Sequence, residues 1–421
     1  MPPIDDSMLI RRADRGMLSA ALMDSRASTL RTFAVYERAL RATGLQIPYS
    51  TEVNPPLWEL GHVGWFQEYW IGRNPQRRLG VAADPETPRT ASCLDNSDGL
   101  YDSSRIEHTS RWQLPLPGVA ETRGYLGRTL EQTLQLLSRA SADGAGLLYF
   151  GWLALMHEDM HHEAALYMAN GLDLPVPLNP PAAPDDGDTQ SPKELTFDAT
   201  RFEAGMQAIA FAFDNELMQS WVDVDRFQID RAPVDNQAYA AFVADGGYDN
   251  PLHWSEEGWA WRQRISARCP RNWRRAGSGF EQRWFGRWIA LEDAAPVTNL
   301  TWHEARAWCR WAGRRLPTEF EWEVAAMTAP QSPVAESIQF GQVWEWTASV
   351  FAPYPGFKPH PYRDYSVPWF GSRKVLRGGS VATHPRLRHP RYRNFFVPER
   401  NDIFAGFRTC ALAATGGAIH E

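Results

Sequence analysis

The sequence predicts a chain in two parts, a helical bundle followed by an α+β domain. Three observations carry this. Residues 1–170 hold long stretches with helical apolar spacing; residues 172–196, LDLPVPLNPPAAPDDGDTQSPKELT, have neither helical nor strand period; from about 197, short strand-like segments are separated by Gly, Pro and Asn turns. A chain of 421 residues is long enough for two or three cores. The expected division is 1–171 as the bundle, 172–196 as a linker and 197–421 as the second domain.

Four helices are expected in the first part. One runs from about Met17 to Ala42 and a second from about Leu57 to Ile71, with Asn54 as its cap and Pro55 and Pro56 in its first turn. A third runs from about Ala120 to Ser141, and a fourth fills 147–170. Four amphipathic helices with long connections read as a bundle. The 72–119 connection, rich in Pro, Asp, Ser and Arg, is long enough to expect a functional role. In the second part WVDVDRFQID, RWFGRWIAL, KVLRGGS and AGFRTCAL read as strands. WHEARAWCRWAGR (302–314) reads as a helix, and TEFEWEVAAM as another, opened by a capping box of Thr318 and Glu321.

Bulk composition narrows the function classes. A net charge of −7 lacks the basic balance that nucleic-acid binding needs. No apolar run approaches the ~20 residues that span a bilayer, and the N-terminus shows no signal-peptide core. Cys93, Cys269, Cys309 and Cys410 lie far apart without a CxxC, which excludes a zinc ribbon and argues against a disulfide scaffold. A cytoplasmic protein with reduced thiols is expected. The 19 Trp point to aromatic-rich cores or aromatic-lined pockets.

The stretch LMHEDMHHEAALYM, Leu155 to Met168, places three histidines and three acids in an otherwise apolar helix. Burying ionisable groups costs several kcal/mol unless something satisfies them. At ~100° per residue His157 and His161 share one face, whereas His162 lies about 140° from His157. Asp159 and Glu163 also point elsewhere. Two imidazoles four apart form a metal-binding geometry; the alternative is a pair of hydrogen-bonded core histidines. His162 and Glu163 are expected to support the ligating histidines by hydrogen bonds or to bond between helices. The third ligand has to come from another helix, and His62 in PPLWELGHVGWFQEYW is the best candidate, with Glu59 as a carboxylate alternative. Such a site with open positions suits non-haem Fe(II); zinc with three histidines is the rival.

His62 together with HEDMHHE resembles the three-histidine iron site of the ergothioneine-pathway sulfoxide synthases. Independently, FDNE (213–216), DRFQIDRAPVDNQAYAAFV (225–243), WAGRRLPTEFEWEVAA (311–326), GQVWEWT (341–347), VLRGGS (375–380) and AGFRTCA (405–411) resemble the formylglycine-generating-enzyme-like, C-type-lectin-like fold. The resemblance implies a DinB-like four-helix bundle joined to that fold. WELGHVGWFQEYW, YDSSRIEHTSRWQLPLP and HEDMHHEAALYM look most like the selenoneine synthase branch of the family.

The resemblance implies an enzyme that uses Fe(II) and O₂ to attach a chalcogen donor to C2 of the hercynine imidazole. It implies His62, His157 and His161 as metal ligands, Tyr362 as the redox-active phenol and Tyr365 as a hercynine contact. Members that use γ-glutamylcysteine carry Gln where this chain has Met160, and an Asp where it has Phe396. With Phe395 and Arg400 these residues mark the substrate-binding segment. Loss of that carboxylate disfavours γ-glutamylcysteine and leaves a selenosugar, or cysteine or another thiol, as donor. The resemblance also leaves room for a structural Ca²⁺ in the second domain. Most Trp and the GQVWEWT strand are expected in the core. The 72–119 connection and the 245–295 insert are candidates for reading the donor. Two other classes compete: a lectin-like binding protein without catalysis, and a zinc hydrolase or thiol transferase built on the bundle.

Overall fold

The computed structural model describes residues 3–139, 145–184, 193–218, 221–328 and 338–412. Five helices build the first part: α1 (Arg15–Ala39), α2 (Pro56–Gln67), the short α3 (Ser97–Tyr101), α4 (Val119–Ser138) and α5 (Ala145–Gly171). The long four form the bundle, with α1 packed along α5 and α2 along α4. Helix α1 starts at Asp14, whose carboxylate caps Met17 N at 2.8 Å. It stops at Ala39, short of the expected Ala42, and a 3₁₀ turn over Arg41–Thr43 follows. Helix α2 loosens after Gln67 into a π turn over Glu68–Gly72. Asn54 does not cap it: Pro55 holds the cap position without a side-chain bond, and Asn54 instead donates to Glu59 and accepts from Arg111. The end of the third expected helix, residues 140 and 141, lies outside the described residues.

Arg26 explains one of the acids in the histidine helix. Its guanidinium meets Glu158 at 2.8 and 3.1 Å and also donates to Gln67 and to the Leu126 carbonyl, so one buried cation ties all four long helices. Ser25 donates to Asp159 Oδ1 at 2.7 Å, and Arg386 forms an ion pair with its Oδ2 at 3.1 Å. As expected, His162 bonds to another helix, through Thr32 at 2.8 Å.

The first strand, β1 (Glu194–Phe197), begins inside the stretch expected to be linker, because Leu195 is buried and the segment pairs with a later strand. Residues 185–192 of that stretch lie outside the described residues. After β1 come β2 (Thr200–Glu203), β3 (Trp221–Val224), β4 (Phe227–Asp230), α6 (Asn236–Ala244), α7 (Glu256–Ile265), β5 (Trp273–Ala276), β6 (Gly279–Trp284), β7 (Arg287–Ala290), α8 (Trp302–Trp311), β8 (Arg314–Arg315) and α9 (Glu319–Thr328). Last are β9 (Trp344–Val350), β10 (Lys374–Arg377), β11 (Asn394–Phe396), β12 (Ala405–Gly406) and β13 (Cys410–Ala411). The sheets are ordered β1-β4-β13-β8, β11-β10-β9-β12, β2-β3 and β5-β6-β7. Thr318 and Glu321 form the expected capping box.

The β9–β10–β11 sheet positions the site. Leu376 pairs with Trp346, and Val375 with Phe395. Gly378 and Gly379 follow β10 with φ of +96° and +86°. Only glycine enters this region readily, and the turn brings Ser380 and Thr383 back toward the bundle. Trp322 and Trp346 are core residues as expected. Across the interface, Arg11 of the N-terminal segment grips Glu216 at 2.7 and 2.9 Å, both fully buried. All four cysteines are free, with Cys309 and Cys410 buried. Among the described residues no helix is long and apolar enough to cross a membrane.

Candidate metal centre

Helices α2 and α5 bring His62, His157 and His161 together. Their ring centroids lie 5.1, 4.8 and 4.3 Å apart, and one ring nitrogen from each falls within 4.8 Å of the others. The i, i+4 spacing stacks His157 over His161, and the apolar face of α2 carries His62 between Trp58 and Trp65. His62 Nδ1 lies 2.8 Å from the Tyr101 carbonyl. A carbonyl only accepts, so the proton sits on Nδ1 and Nε2 keeps its lone pair. His161 Nδ1 donates to Glu59 Oε2 at 2.6 Å, which leaves its Nε2 free in the same way. Glu59 therefore orients a ligand rather than serving as one. The 72–119 connection contributes here, by presenting the Tyr101 carbonyl.

His157 decides whether these residues suit a metal. Both of its ring nitrogens are buried without a hydrogen-bond partner, and its ring lies flat on Phe66 at 3.5 Å. An unsatisfied buried polar group costs about 1–3 kcal/mol, and a cation between the three rings removes that cost. Burial pushes the His62 imidazole down to about 3 and that of His157 well below its ordinary value. Both are therefore neutral, the state that ligates. Burial opposes charge on Glu59 as well, yet the neighbouring His161 and His62 hold its carboxyl at about 2. The donor set, three imidazoles with no carboxylate, fits Fe(II) and equally Zn(II).

The cluster opens on a cavity of about 240 Å³ between the domains. Helix α5 lines it with His157, Met160, His161, Glu163, Ala164 and Tyr167, and the second domain adds Trp344, Tyr362, Tyr365, Tyr392, Asn394, Phe396 and Ile403.

The comparisons agree with this two-part architecture. Residues 28–170 match the DinB superfamily, and residues 181–334 with 339–413 match the sulfatase-modifying factor enzyme 1-like domain. Hercynine oxygenase of Mycolicibacterium smegmatis is 33% identical over 413 residues, covering 86% of this chain and 91% of its own. Hercynine oxygenase of Mycolicibacterium thermoresistibile is 31% identical over 445 residues, covering 94% of each. This chain belongs to the hercynine oxygenase family. Formylglycine-generating enzyme of Streptomyces coelicolor is 27% identical over 321 residues, which cover 58% of this chain and 98% of that protein.

The structure places the other expected residues of this hercynine oxygenase family member as follows. Tyr362 packs edge-on against Phe66 at 4.9 Å and lies 6.2 Å from the His157 ring. Burial raises its phenol well above the ordinary value. Tyr365 donates to Tyr392 Oη at 3.3 Å, and Tyr392 reaches Met160 Sδ at 3.1 Å. Met160 and Phe396 line the cavity as expected, but Phe395 and Arg400 do not. Alternation along β11 turns Phe395 to the other face, where it stacks on Phe351 at 3.9 Å. The Arg400 guanidinium is paired with Asp402 and lies over the rings of Tyr167 and Phe396, so it backs the wall.

Neither 72–119 nor 245–295 supplies a lining residue. Tyr392, Asn394, Trp344, Tyr167 and Ile403 escaped the sequence reading. Asn394 and Tyr392 lie one and three residues before Phe395 of the marked segment, and that proximity was the available signal. Trp344 was expected in the core, yet it lines the cavity and donates to Glu163 at 2.7 Å. Among the described residues the other group of close potential ligands is Asp5, Asp24 and His384, which spans both parts of the chain. The second domain by itself presents, among the described residues, no group of three such side chains.

Proposed function

We propose that this chain is a non-haem Fe(II), O₂-dependent oxidoreductase that joins C2 of the hercynine imidazole to a selenosugar, the bond-forming step toward selenoneine. One observation carries the reading: three convergent imidazoles, one of them unsatisfied, at the end of a tyrosine-lined cavity in a hercynine oxygenase family member. His62, His157 and His161 would hold the iron, which when bound supplies the redox chemistry that couples reduction of O₂ to oxidation of the substrates. Glu59 and the Tyr101 carbonyl keep two ligand rings oriented. Burial keeps the Tyr362 phenol protonated through the neutral range, so its Oη holds a proton beside the reacting groups. Aromatic walls exclude water. The same reading assigns 1–171 to the bundle and the chain from β1 onward to the second domain, so that the linker ends before Glu194 rather than at 196.

Phe396 and Met160 on the cavity wall support a donor without a charged amino-acid end. Away from Glu163, an ammonium buried against these two side chains would be unpaired at a cost of several kcal/mol. A selenosugar needs hydrogen bonds and aromatic platforms instead, and Tyr392, Asn394 and Trp344 offer both. The alternative is C–S bond formation from cysteine or another thiol, which the family assignment favours equally. A donor competition separates them. The iron-loaded protein is given hercynine and O₂ with a selenosugar, cysteine or γ-glutamylcysteine, and products are read by mass spectrometry. A selenium adduct formed much faster than any sulfur adduct is expected. A sulfoxide from cysteine alone overturns the selenium reading, and no adduct from any donor overturns the chemistry.

A further inference from the structure

Glu163 is a carboxylate that the roles above leave unused. Trp344 Nε1, Ser380 Oγ and Thr383 Oγ1 donate to it at 2.7, 3.0 and 2.7 Å, and all three bonds converge on Oε1. The side chain is buried, and among the described residues it forms no ion pair. It is also the one carboxylate among the described residues lining the 240 Å³ cavity. The nearest cation, Arg388, acts on it only at a distance, because its guanidinium donates to the Thr383 and Val381 carbonyls instead. A buried carboxylate without a contacting countercharge costs several kcal/mol.

The surroundings specify the cation that would balance it. Trp344, Tyr365, Tyr392, Tyr167 and Phe396 surround the same space. A primary ammonium would demand several directed acceptors. A quaternary ammonium has no N–H to satisfy and is held by aromatic faces together with a negative charge. Two residues along an α-helix separate Glu163 from His161 by about 160° around the axis. Because both line the cavity, they stand at opposite edges of the face that α5 presents to it.

Resting on the function proposed above, we infer that Glu163 is a substrate-binding residue that faces the trimethylammonium of hercynine while the imidazole reaches the histidine cluster. The shared hydrogen bonds to Oε1 also join α5 to the second domain, so a purely structural role has to be separated from a binding one. Glu163→Gln separates them: an amide oxygen still accepts from Trp344, Ser380 and Thr383, and the charge is gone.

The test is anaerobic calorimetry on the full iron-loaded chain with two ligands, hercynine and 3-(imidazol-4-yl)propionate, which lacks the ammonium. Glu163→Gln is expected to weaken hercynine by about tenfold or more and to leave the propionate within about threefold. Glu163→Asp, which keeps the charge, is expected to preserve the preference for hercynine. Equal weakening of both ligands, or unchanged affinity for both, overturns the assignment. A wild-type protein that binds neither ligand overturns the hercynine reading itself. A wild-type protein that binds hercynine while Glu163→Gln binds it equally well overturns the role of Glu163 alone.

Discussion

Replacing Glu59 by Gln removes one negative charge and little volume. In the structure Glu59 Oε2 accepts from His161 Nδ1 at 2.6 Å, and its other oxygen accepts from Asn54. The bond fixes the His161 ring with Nε2 toward His62 and His157, and the negative charge raises the basicity of that nitrogen. A Gln there can present its amide NH₂ to His161 as readily as its oxygen, so the tautomer is no longer enforced. Losing such a carboxylate behind a ligating imidazole typically weakens metal binding about 10–100-fold, or about 1.4–2.8 kcal/mol. The assay is competition for Fe(II) against a chromophoric chelator under anaerobic conditions. Asn54→Ala is the graded control. It removes a bond to the distal oxygen and is expected to cost about 0.5–1.5 kcal/mol. Unchanged iron affinity in Glu59→Gln refutes the orienting role. So does an equal loss in Asn54→Ala, which would mean that packing near α2 matters rather than the charge on His161.

Tyr362→Phe is expected to retain stoichiometric iron, because the ring lies against Phe66 and does not ligate, while altering the product or the O₂ consumed; unchanged product and uptake refute a role for the phenol. Arg11→Ala leaves Glu216 buried without its partner and is expected to cost about 3–5 kcal/mol in urea unfolding; a loss under about 1 kcal/mol contradicts this. Burial raises the Glu304 carboxyl to about 7. The folded state then holds a proton that the unfolded chain releases near pH 4.3, so stability is expected to fall as pH rises from about 4.5 to 7. Glu304→Gln should flatten that window, and an unchanged slope by urea titration at each pH counts against it.

Much of the site was legible because a helix has a fixed period. The i, i+4 pair His157 and His161, and the exclusion of His162 from their face, follow from 100° per residue alone; Glu163, expected to point elsewhere, lines the same cavity. Asn54 was read as a cap because its residue type and position allow it. The structure gives it to Glu59 and Arg111, a competition that no local rule ranks. Phe395 and Phe396 show the complementary limit. Both belonged to the marked segment, and the pleat of β11 sends one to the cavity and its neighbour to the opposite face, onto Phe351.

Sequence alone therefore determined the two-part architecture, the family resemblance and the three convergent histidines, since each depends on periodicity or on contiguous motif. Tertiary structure decided what surrounds them. The Tyr101 carbonyl behind His62, Arg26 among four helices, Trp344 on Glu163 and the Tyr365–Tyr392–Met160 contact join residues 27 to 232 positions apart. The first two arise from packing within the bundle and Tyr365–Tyr392 from packing within the second domain, whereas Trp344 on Glu163 and the contacts to Met160 need the two domains face to face. Side-chain type in one stretch carries no record of which distant stretch will meet it.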